Sequence, residues 1–552
     1  MKRFVKLFVD LDSTTSLNEK VDALKNYLTS SSPSDSMWSV LLLTGRISKK
    51  TITSRGIKDL FLIATKYPEW LLDASASNVG DSAETLSLLA QTLGLCRTSG
   101  VEAVSHDTSL TTWMEERLPA LGRLKDQAEQ AALLLSWWRD LDQQEVFILN
   151  KLMTGAFRVG VSEKLVVRAL AAVFELETDQ VAHRLTGSRE AGADRFAKLI
   201  SKEKTSPSFS QPYPFCLANA WGERNEIDFN PLQWCVEWKF DGIRAQIIRR
   251  EGQTWIWSRG EEDITSGFPD LVEVFEFLPE GTVLDGEIVV VTSTNADALV
   301  APFQELQKRL GRKKVSPAVL KSHPAGFVAY DCIEFGSRDV RSEPLSSRKE
   351  FLKKVLEGHF HSRLRFSEVL NIQDLTDLAR KREEARNEAA EGLMLKAWSS
   401  PYVVGRKTGN WWKHKVDPLT LDAVLIYAQA GSGRRANLYT DYTFALWDQE
   451  KNLVPFAKAY SGLDQKEIDE LDHWIRRHTK EKFGPVRSVE PHFVFEIGFE
   501  GIGKSSRHKS GIAVRFPRIL RWRRDKPPTE ADTLATANLL MQGLSTPAEV
   551  RT

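Results

Sequence analysis

At 552 residues, 42% of them hydrophobic and 27% charged, the chain is too long for a single core and has the composition of a soluble multidomain protein. Lys plus Arg number 75 against 74 Asp plus Glu, so net charge announces no polyanionic partner and any basic surface has to be local. The four cysteines (Cys96, Cys216, Cys235, Cys332) are scattered without C-x-x-C spacing, which argues against a zinc module and against a disulfide framework and fits a reducing compartment. No apolar run approaches ~18 residues, and "MKRFVKLFVDLDSTTS" is too charged for a signal peptide; a soluble, cytoplasmic protein with no membrane partner is expected.

Residues 1–205 read as helical. "SLNEKVDALKNYL" opens on a capping box, Ser16 with Glu19, and sets Val21, Leu24 and Leu28 on one face. "DSAETLSLLAQTLG" closes on Gly94, and "AEQAALLLSWWRDLDQQEVFILNKLMTGAF" leads through the turn "RVGV" into "SEKLVVRALAAVFEL". The serine- and proline-rich "KEKTSPSFSQPYPF" (202–215) reads as a linker. Beyond it the texture turns to short β-runs, "QWCVEWKF", "IRAQIIRR", "TWIWSR", "TVLDGEIVVV" and "GFVAYDCIEF", with the helical insert "DLTDLARKREEARNEAAEG"; an α+β domain with antiparallel sheets is expected over 206–417. A boundary falls at "KVDPLTLD" (415–422). Five strand candidates follow, "LDAVLIYAQA", "YTFALWD", "VPFAKAY", "HFVFEIGF" and "SGIAVRF", which suit a small barrel over 418–552, with a sandwich left open by the patterning. "IRRHTKEK", "GKSSRHK" and "RFPRILRWRRDK" concentrate positive charge in the last 80 or so residues.

Within the middle region, Asp241-Gly242 reads as a hairpin turn between two strands, with Lys239 just ahead of it. Taken alone, Lys239 is most simply a solvated strand-end residue. The following strands change that reading. Glu287 is flanked by Ile288, Val289 and Val290, and Glu391 stands beside "GLML"; a carboxylate among apolar residues is costly without a partner or a metal. Lys413 and Lys415 share one face of a strand, and like charges so placed repel unless an anion lies between them. Carboxylates with converging Lys and Arg on one sheet surface describe a nucleotide triphosphate–magnesium site.

The ordered set Lys239-Phe-Asp241-Gly242-Ile-Arg244, Ser-Arg259-Gly, Asp-Gly-Glu287, Tyr330-Asp, Glu391-Gly and Lys413-His-Lys415 resembles the covalent nucleotidyltransferase superfamily of DNA ligases, RNA ligases and messenger-RNA capping enzymes. "SGIAVRFPRILRWRRDKPPTEADT" is similar to the last motif of ATP-dependent DNA ligases. "AQAGSGRRANLYTDYTFALWD" resembles the early strands of their oligonucleotide-binding (OB) domain, and "LNKLMTGAFRVGVSEKLVVRALAAVF" their helical DNA-binding domain. The resemblance covers nearly the whole chain and implies the three-domain architecture of archaeal and eukaryotic ligases, also found in some bacteria: an all-α DNA-binding domain (1–205), an α+β nucleotidyltransferase domain (206–417) and an OB-fold β-barrel (418–552). One departure is Arg524, where family members often carry an acidic residue.

The resemblance implies that Lys239 attacks the α-phosphate of ATP, forming lysyl-AMP, that AMP passes to the 5′-phosphate of a nick, and that the 3′-hydroxyl then displaces it. Nearby Arg244, Lys413 and Lys415 are expected to favour the nucleophilic amine. Tyr330 would stack on adenine and Glu237 read its amino edge. Glu287 would hold the ribose or a metal-bound water and Glu391 the Mg2+ (or Mn2+), while Arg244 and Arg259 contact the ribose and the nick 5′-phosphate. Arg406, Lys413 and Lys415 would neutralise the α-phosphate, and Arg515, Arg518, Arg523 and Lys526 orient pyrophosphate, the last four reading also as DNA-backbone contacts. Nicked duplex DNA is the implied partner, gripped through phosphates with help from Lys164 and Arg168, by a monomer that encircles it and pivots near Asp417. A capping enzyme would lack the helical third, and an NAD-dependent ligase usually carries a four-cysteine zinc site; RNA ligase and a nick-binding protein without turnover fit less of the pattern.

Overall fold

A computed structural model describes all residues except 48–49, 99–107, 156, 158, 187–189, 203–209, 223–225, 227–228, 293–298, 311, 313–314, 360–362, 432–437, 484–485 and 546–552. By Cα proximity the chain divides into two units: residues 1–173 with 189–197 and 418–552, and residues 174–188 with 198–417. Parts of the linker (203–209), of "RVGV" (158) and of the glycine-arginine segment after "AQA" (432–437) lie outside the described residues.

The N-terminal region is helical, as its periodicity requires. Ser16 caps the helix Leu17–Ser30 by accepting from the Glu19 N–H. The capping box is only half formed, because the Thr14 hydroxyl donates to the Glu19 carboxylate and accepts the Ser16 N–H. Complete boxes form instead at Asp142 with Glu145 and at Asp464 with Glu467. The Asp142 cap splits the long apolar stretch into Gln127–Asp140 and Gln143–Thr154. Trp113, Trp138, Phe61 and Leu149 are buried, and Asp81 at a helix start pairs with Lys151 at 2.7 Å.

The second unit carries β1 Cys216–Leu217, β2 Asn219–Ala220, β3 Trp234–Phe240, β4 Ile243–Arg250, β5 Gln253–Ser258, β6 Thr282–Val290, β7 Ala325–Phe335, β8 Arg338–Asp339, β9 Leu364–Phe366, β10 Ala390–Ala397, β11 Gly405–Arg406 and β12 Trp411–Lys415. One sheet runs β5-β4-β6-β7-β8 with β9 also on β7; a second runs β2-β12-β10-β3. The expected hairpin at Asp241-Gly242 is therefore not formed. β3 pairs with β10 and β4 with β5 and β6, so the two residues carry the chain from one sheet to the other. Glycine is needed at 242 because the crossing passes tight against β6: a Cβ there would lie 2.2 Å from the Ile288 carbonyl oxygen and 2.8 Å from the Glu287 side chain.

Apolar faces of the larger sheet pack on the helices Pro269–Val274 and Leu345–Leu356 through Ile247, Leu271, Leu284, Phe327 and Leu352. A second cluster, Tyr213, Cys216, Ile248, Val283, Ile333, Tyr402 and Trp411, joins residues of both sheets. The end of the expected linker is held firmly. The Tyr213 hydroxyl donates to Glu334 at 2.6 Å, its backbone exchanges two hydrogen bonds with the Gln246 side chain, and its ring stacks on His183.

The C-terminal strands are β13 Leu419–Ala430, β14 Tyr439–Trp447, β15 Leu453–Ala459, β16 Thr479–Phe483, β17 Val486–Val489, β18 Val494–Phe499, β19 Gly501–Lys504, β20 Ile512–Arg515 and β21 Arg518–Arg523. The five expected strands are present. β16, β17, β19 and β21 are additional; in β21, "RILRWR", arginines mask the buried Ile519 and Trp522. The sheet runs β15-β14-β13-β17-β16, and β18 joins the first half of β13 to β21. Pairings among the described strands leave it an open sheet around a core that includes Leu425, Phe444, Phe495 and Ile497.

Candidate active site

Lys239 is the last residue but one of β3, and Glu391 sits at the start of β10 where the β3–β10 register shifts between Ala390 and Leu393. That bulge turns on Gly392, whose φ is +140° and whose Cβ would meet the His414 carbonyl oxygen at 2.3 Å. The displaced carboxylate of Glu391 accepts from the Lys239 ammonium on one oxygen and pairs with Lys415 at 2.8 Å on the other. Burial opposes the charge of Glu391, and the two lysines outweigh it, holding the carboxyl below its ordinary range. Lys413 shares the strand with Lys415; burial and the cations Lys415, Lys239 and Arg406 pull it down.

Glu287 faces the same site from β6, opposite Arg244 of β4 in the register. Burial pushes its carboxyl up to about 8, helped by Asp285 and Glu391 and opposed by Lys239 and Arg244. Arg244 lies beneath it in a frame of its own. Its guanidinium grips Asp285 with two bonds of 3.2 and 2.7 Å, donates to the Cys216 carbonyl at 2.6 Å and lies against the rings of Phe215, Trp411 and Tyr330. The Tyr402 and Tyr330 hydroxyls complete the shell of Asp285 at 2.7 and 3.3 Å.

Beside Tyr330 lies a second buried charge cluster. The Lys396 ammonium sits 4.0 Å from the Tyr330 ring centroid and 2.5 Å from one oxygen of Glu237; Lys349 bonds the other. Glu237 is 1% exposed, and the two lysines hold its carboxyl low against the cost of burial.

The second unit thus brings together Lys239, Glu237, Arg244, Glu287, Tyr330, Glu391, Lys413 and Lys415. Arg259 is exposed just past β5, its N–H on the Arg244 carbonyl, and Arg406 is exposed on β11. Asp417, 82% exposed at its side chain, pairs with Arg382 at 2.5 Å while Arg386 donates to its carbonyl. Sequence reasoning missed Asp285, Tyr402, Lys396 and Lys349. Asp285 and Lys396 stand inside the stretches "DGEIVV" and "EGLMLK"; Lys349, one cation among several on a helix, and Tyr402 carried no signal.

Lys164 and Arg168 are exposed one turn apart on the helix Glu163–Phe174, and Arg168 donates to Asn18 at 3.2 Å. Among the C-terminal strands Arg523 and Lys526 share one oxygen of Asp422, at 2.6 and 2.8 Å, and Arg518 pairs with Glu500 at 2.9 Å. Arg515 lies 4.9 Å from the ring of Phe516, an exposed residue at φ +51°. Arg524 makes two 2.7 Å bonds to Glu470, so the unusual cation has a carboxylate of its own.

Among the described residues no group of three or more His, Cys, Asp or Glu is placed to cage a metal, and no helix is long and apolar enough to cross a membrane. Glu287 and Glu391, whose charges interact at this site, are the two carboxylates that could hold a metal. Such a set fits a Mg2+ that takes its remaining ligands from substrate phosphates and water.

Comparison with known proteins gives the same outline. Residues 1–171 match the DNA ligase N terminus, 217–415 the ATP dependent DNA ligase domain and 435–526 the ATP dependent DNA ligase C terminal region. A probable DNA ligase of Koribacter versatilis is 32% identical over 95% of this chain and 94% of its own length. A DNA ligase of Natronomonas pharaonis is 30% identical over 84% of this chain and 83% of its own. The solved structure named Pmar-Lig_Pre shares the fold at a TM-score of 0.61 and 15% identity, over 94% of this chain and 99% of that one. The chain is therefore a member of the ATP-dependent DNA ligase family, whose activity is the sealing of DNA nicks through an adenylate intermediate.

Proposed function

We propose that Lys239 is the adenylylated nucleophile of a ligase that seals 3′-OH/5′-phosphate nicks in duplex DNA. The observation that carries this is the junction of Lys239 and Lys415 on one carboxylate, with Lys413 and Glu287 at the same site. Lys239 Nζ forms a bond to the α-phosphorus of ATP as the bond to pyrophosphate breaks, and the amine proton leaves to solvent or base. Lys413, Lys415 and Arg406 supply charge to the α-phosphate oxygens, which take on more of it in the transition state. Glu391 and Glu287 would hold Mg2+, which would supply neutralisation of phosphate charge when bound. Tyr330 gives the adenine a ring face and Glu237 an acceptor for its amino group. Arg244, locked on Asp285, shapes the ribose pocket, and the exposed Arg259 meets the nick 5′-phosphate.

The C-terminal sheet is read as an OB-type barrel, and Arg515, Arg518, Arg523 and Lys526 as the pyrophosphate-orienting set. Lys164 and Arg168 are read as phosphate contacts, Asp417 as the pivot, and the protein as a monomer acting in the cytoplasm on nucleoid DNA. Domain limits of 1–205, 206–417 and 418–552 belong to the same reading. Incubation with Mg2+ and α-labelled ATP, GTP or NAD tests it. Label from ATP should stay on the denatured chain and vanish in Lys239→Ala; a labelled Lys239→Ala chain would overturn the assignment.

A further inference from the structure

The pair of ammonium groups on Glu237 is more than its burial demands. One lysine suffices to neutralise one buried carboxylate. Here Lys349 and Lys396 both reach it, their side chains 5% and 2% exposed. Lys396 has other company, with the faces of Tyr330 and Trp411 at 4.0 and 4.6 Å. Lys349 arrives from the helix Leu345–Leu356, which packs on the larger sheet through Leu352, and its ammonium also lies 4.6 Å from the centre of the Phe366 ring. A carboxylate has about four lone-pair directions. With one ammonium on each oxygen, the carboxylate plane is fixed and acceptor capacity remains on both oxygens.

We propose that Lys349 is a positioning residue that sets the purine choice of the nucleotide site. By fixing the Glu237 carboxylate as a charged acceptor beside the Tyr330 ring, it makes the pocket take a base with an amino donor at C6 and reject one with a carbonyl there. This rests on the reading of Tyr330 and Glu237 as the base site. Adenine's amino group donates to a carboxylate, whereas the guanine O6 would set lone pair against lone pair. Without Lys349 the carboxylate is free to rotate onto Lys396, and the acceptor leaves the base edge.

The test is the ratio of covalent adduct formed from ATP to that formed from GTP, together with purine riboside triphosphate, which lacks the C6 amino group. Ratios are taken as kcat/KM within one preparation, so a misfolded fraction cancels. A hydrogen bond to a charged group supports a preference of tenfold or more, so Lys349→Met should lower ATP over purine riboside triphosphate by roughly tenfold. The loss should fall mainly on KM, and Lys349→Arg should restore the ratio to within about threefold. Lys349→Gln serves where the methionine variant does not fold. A folded variant that keeps the wild-type ratio, or forms adduct with no nucleotide, overturns the proposal. Glu237→Gln separates the two readings. An unchanged ratio there removes Glu237 from base recognition, whereas a lowered ratio there with none in Lys349→Met removes only Lys349.

Discussion

Glu287→Gln should flatten the pH dependence of stability, because this one carboxyl works against the fold whenever it is charged. In the folded protein burial pushes it up to about 8, from an ordinary value of 4.5. Between those two values the folded chain keeps a proton that the unfolded chain has released. Stability therefore falls as pH rises through the window, and the loss levels off above the folded value. At about 1.36 kcal/mol per pH unit, the change from pH 6 to pH 9 comes to ~2.5 kcal/mol for this group, an upper bound because the carboxyl keeps some solvent contact. Gln is isosteric with the neutral acid and has no such dependence.

The assay is urea unfolding of the full chain at both pH values for both proteins, followed by the signal of the sheet-rich unit that carries Trp411 and Trp257. The double difference removes every other titrating group. Wild type should lose ~2 kcal/mol more than Glu287→Gln between about pH 6 and pH 9. Parallel curves, agreeing within ~0.5 kcal/mol, would refute the claim that burial keeps Glu287 neutral at rest.

Asp285→Asn should destabilise the same unit by about 3–5 kcal/mol, since it leaves the Arg244 guanidinium without its charge partner; denaturant midpoints measure it. Gly242→Ala should cut adduct formation by roughly tenfold or more, because the added methyl meets the Ile288 carbonyl and the Glu287 side chain and shifts both Lys239 and Glu287; single-turnover adenylylation reads it. Lys164→Glu with Arg168→Glu should weaken DNA binding without changing adduct formation, and lower the slope of log affinity against log salt by about 2.

How far the sequence carried depended on the range of the interactions involved. Helix and strand positions were legible because burial repeats with the local period, and strands such as Cys216–Leu217 were missed because two residues have no period. The Asp241-Gly242 turn was misread for a physical reason. A glycine that permits a hairpin and one that permits close passage beneath another strand leave the same mark, and only the partners of β3 and β4 separate them. Glu287 and Glu391 stood out because charge inside an apolar strand is locally anomalous, Lys413 and Lys415 because like charges share a strand face, and Lys239 only in their company. Lys349 did not, since a lysine on the helix "LSSRKEFLKKVL" is ordinary until the fold buries that one and leaves Lys353 and Lys354 exposed. The same holds for Glu470, which answers Arg524 from 54 residues away.

The two carboxylates of the site are driven in opposite directions, and that asymmetry follows from the strand that carries each. Glu391 stands on a bulge where Lys239 and Lys415, near the ends of their strands, can reach both of its oxygens, so it stays ionised and holds the Lys239 ammonium in place. Glu287 stands mid-strand in β6, where neighbours on either side are apolar and the cation in register with it, Arg244, is already committed to Asp285. Among the described residues its charge therefore has no ion-pair partner of its own. An arriving phosphate-bound cation would supply one, and the proton held by Glu287 at neutral pH would then leave. Adduct formation under such coupling should release a proton that Glu287→Gln does not, and measuring heat in two buffers of different ionisation enthalpy detects it. Equal proton release by the two proteins would assign the cation to Glu391 alone.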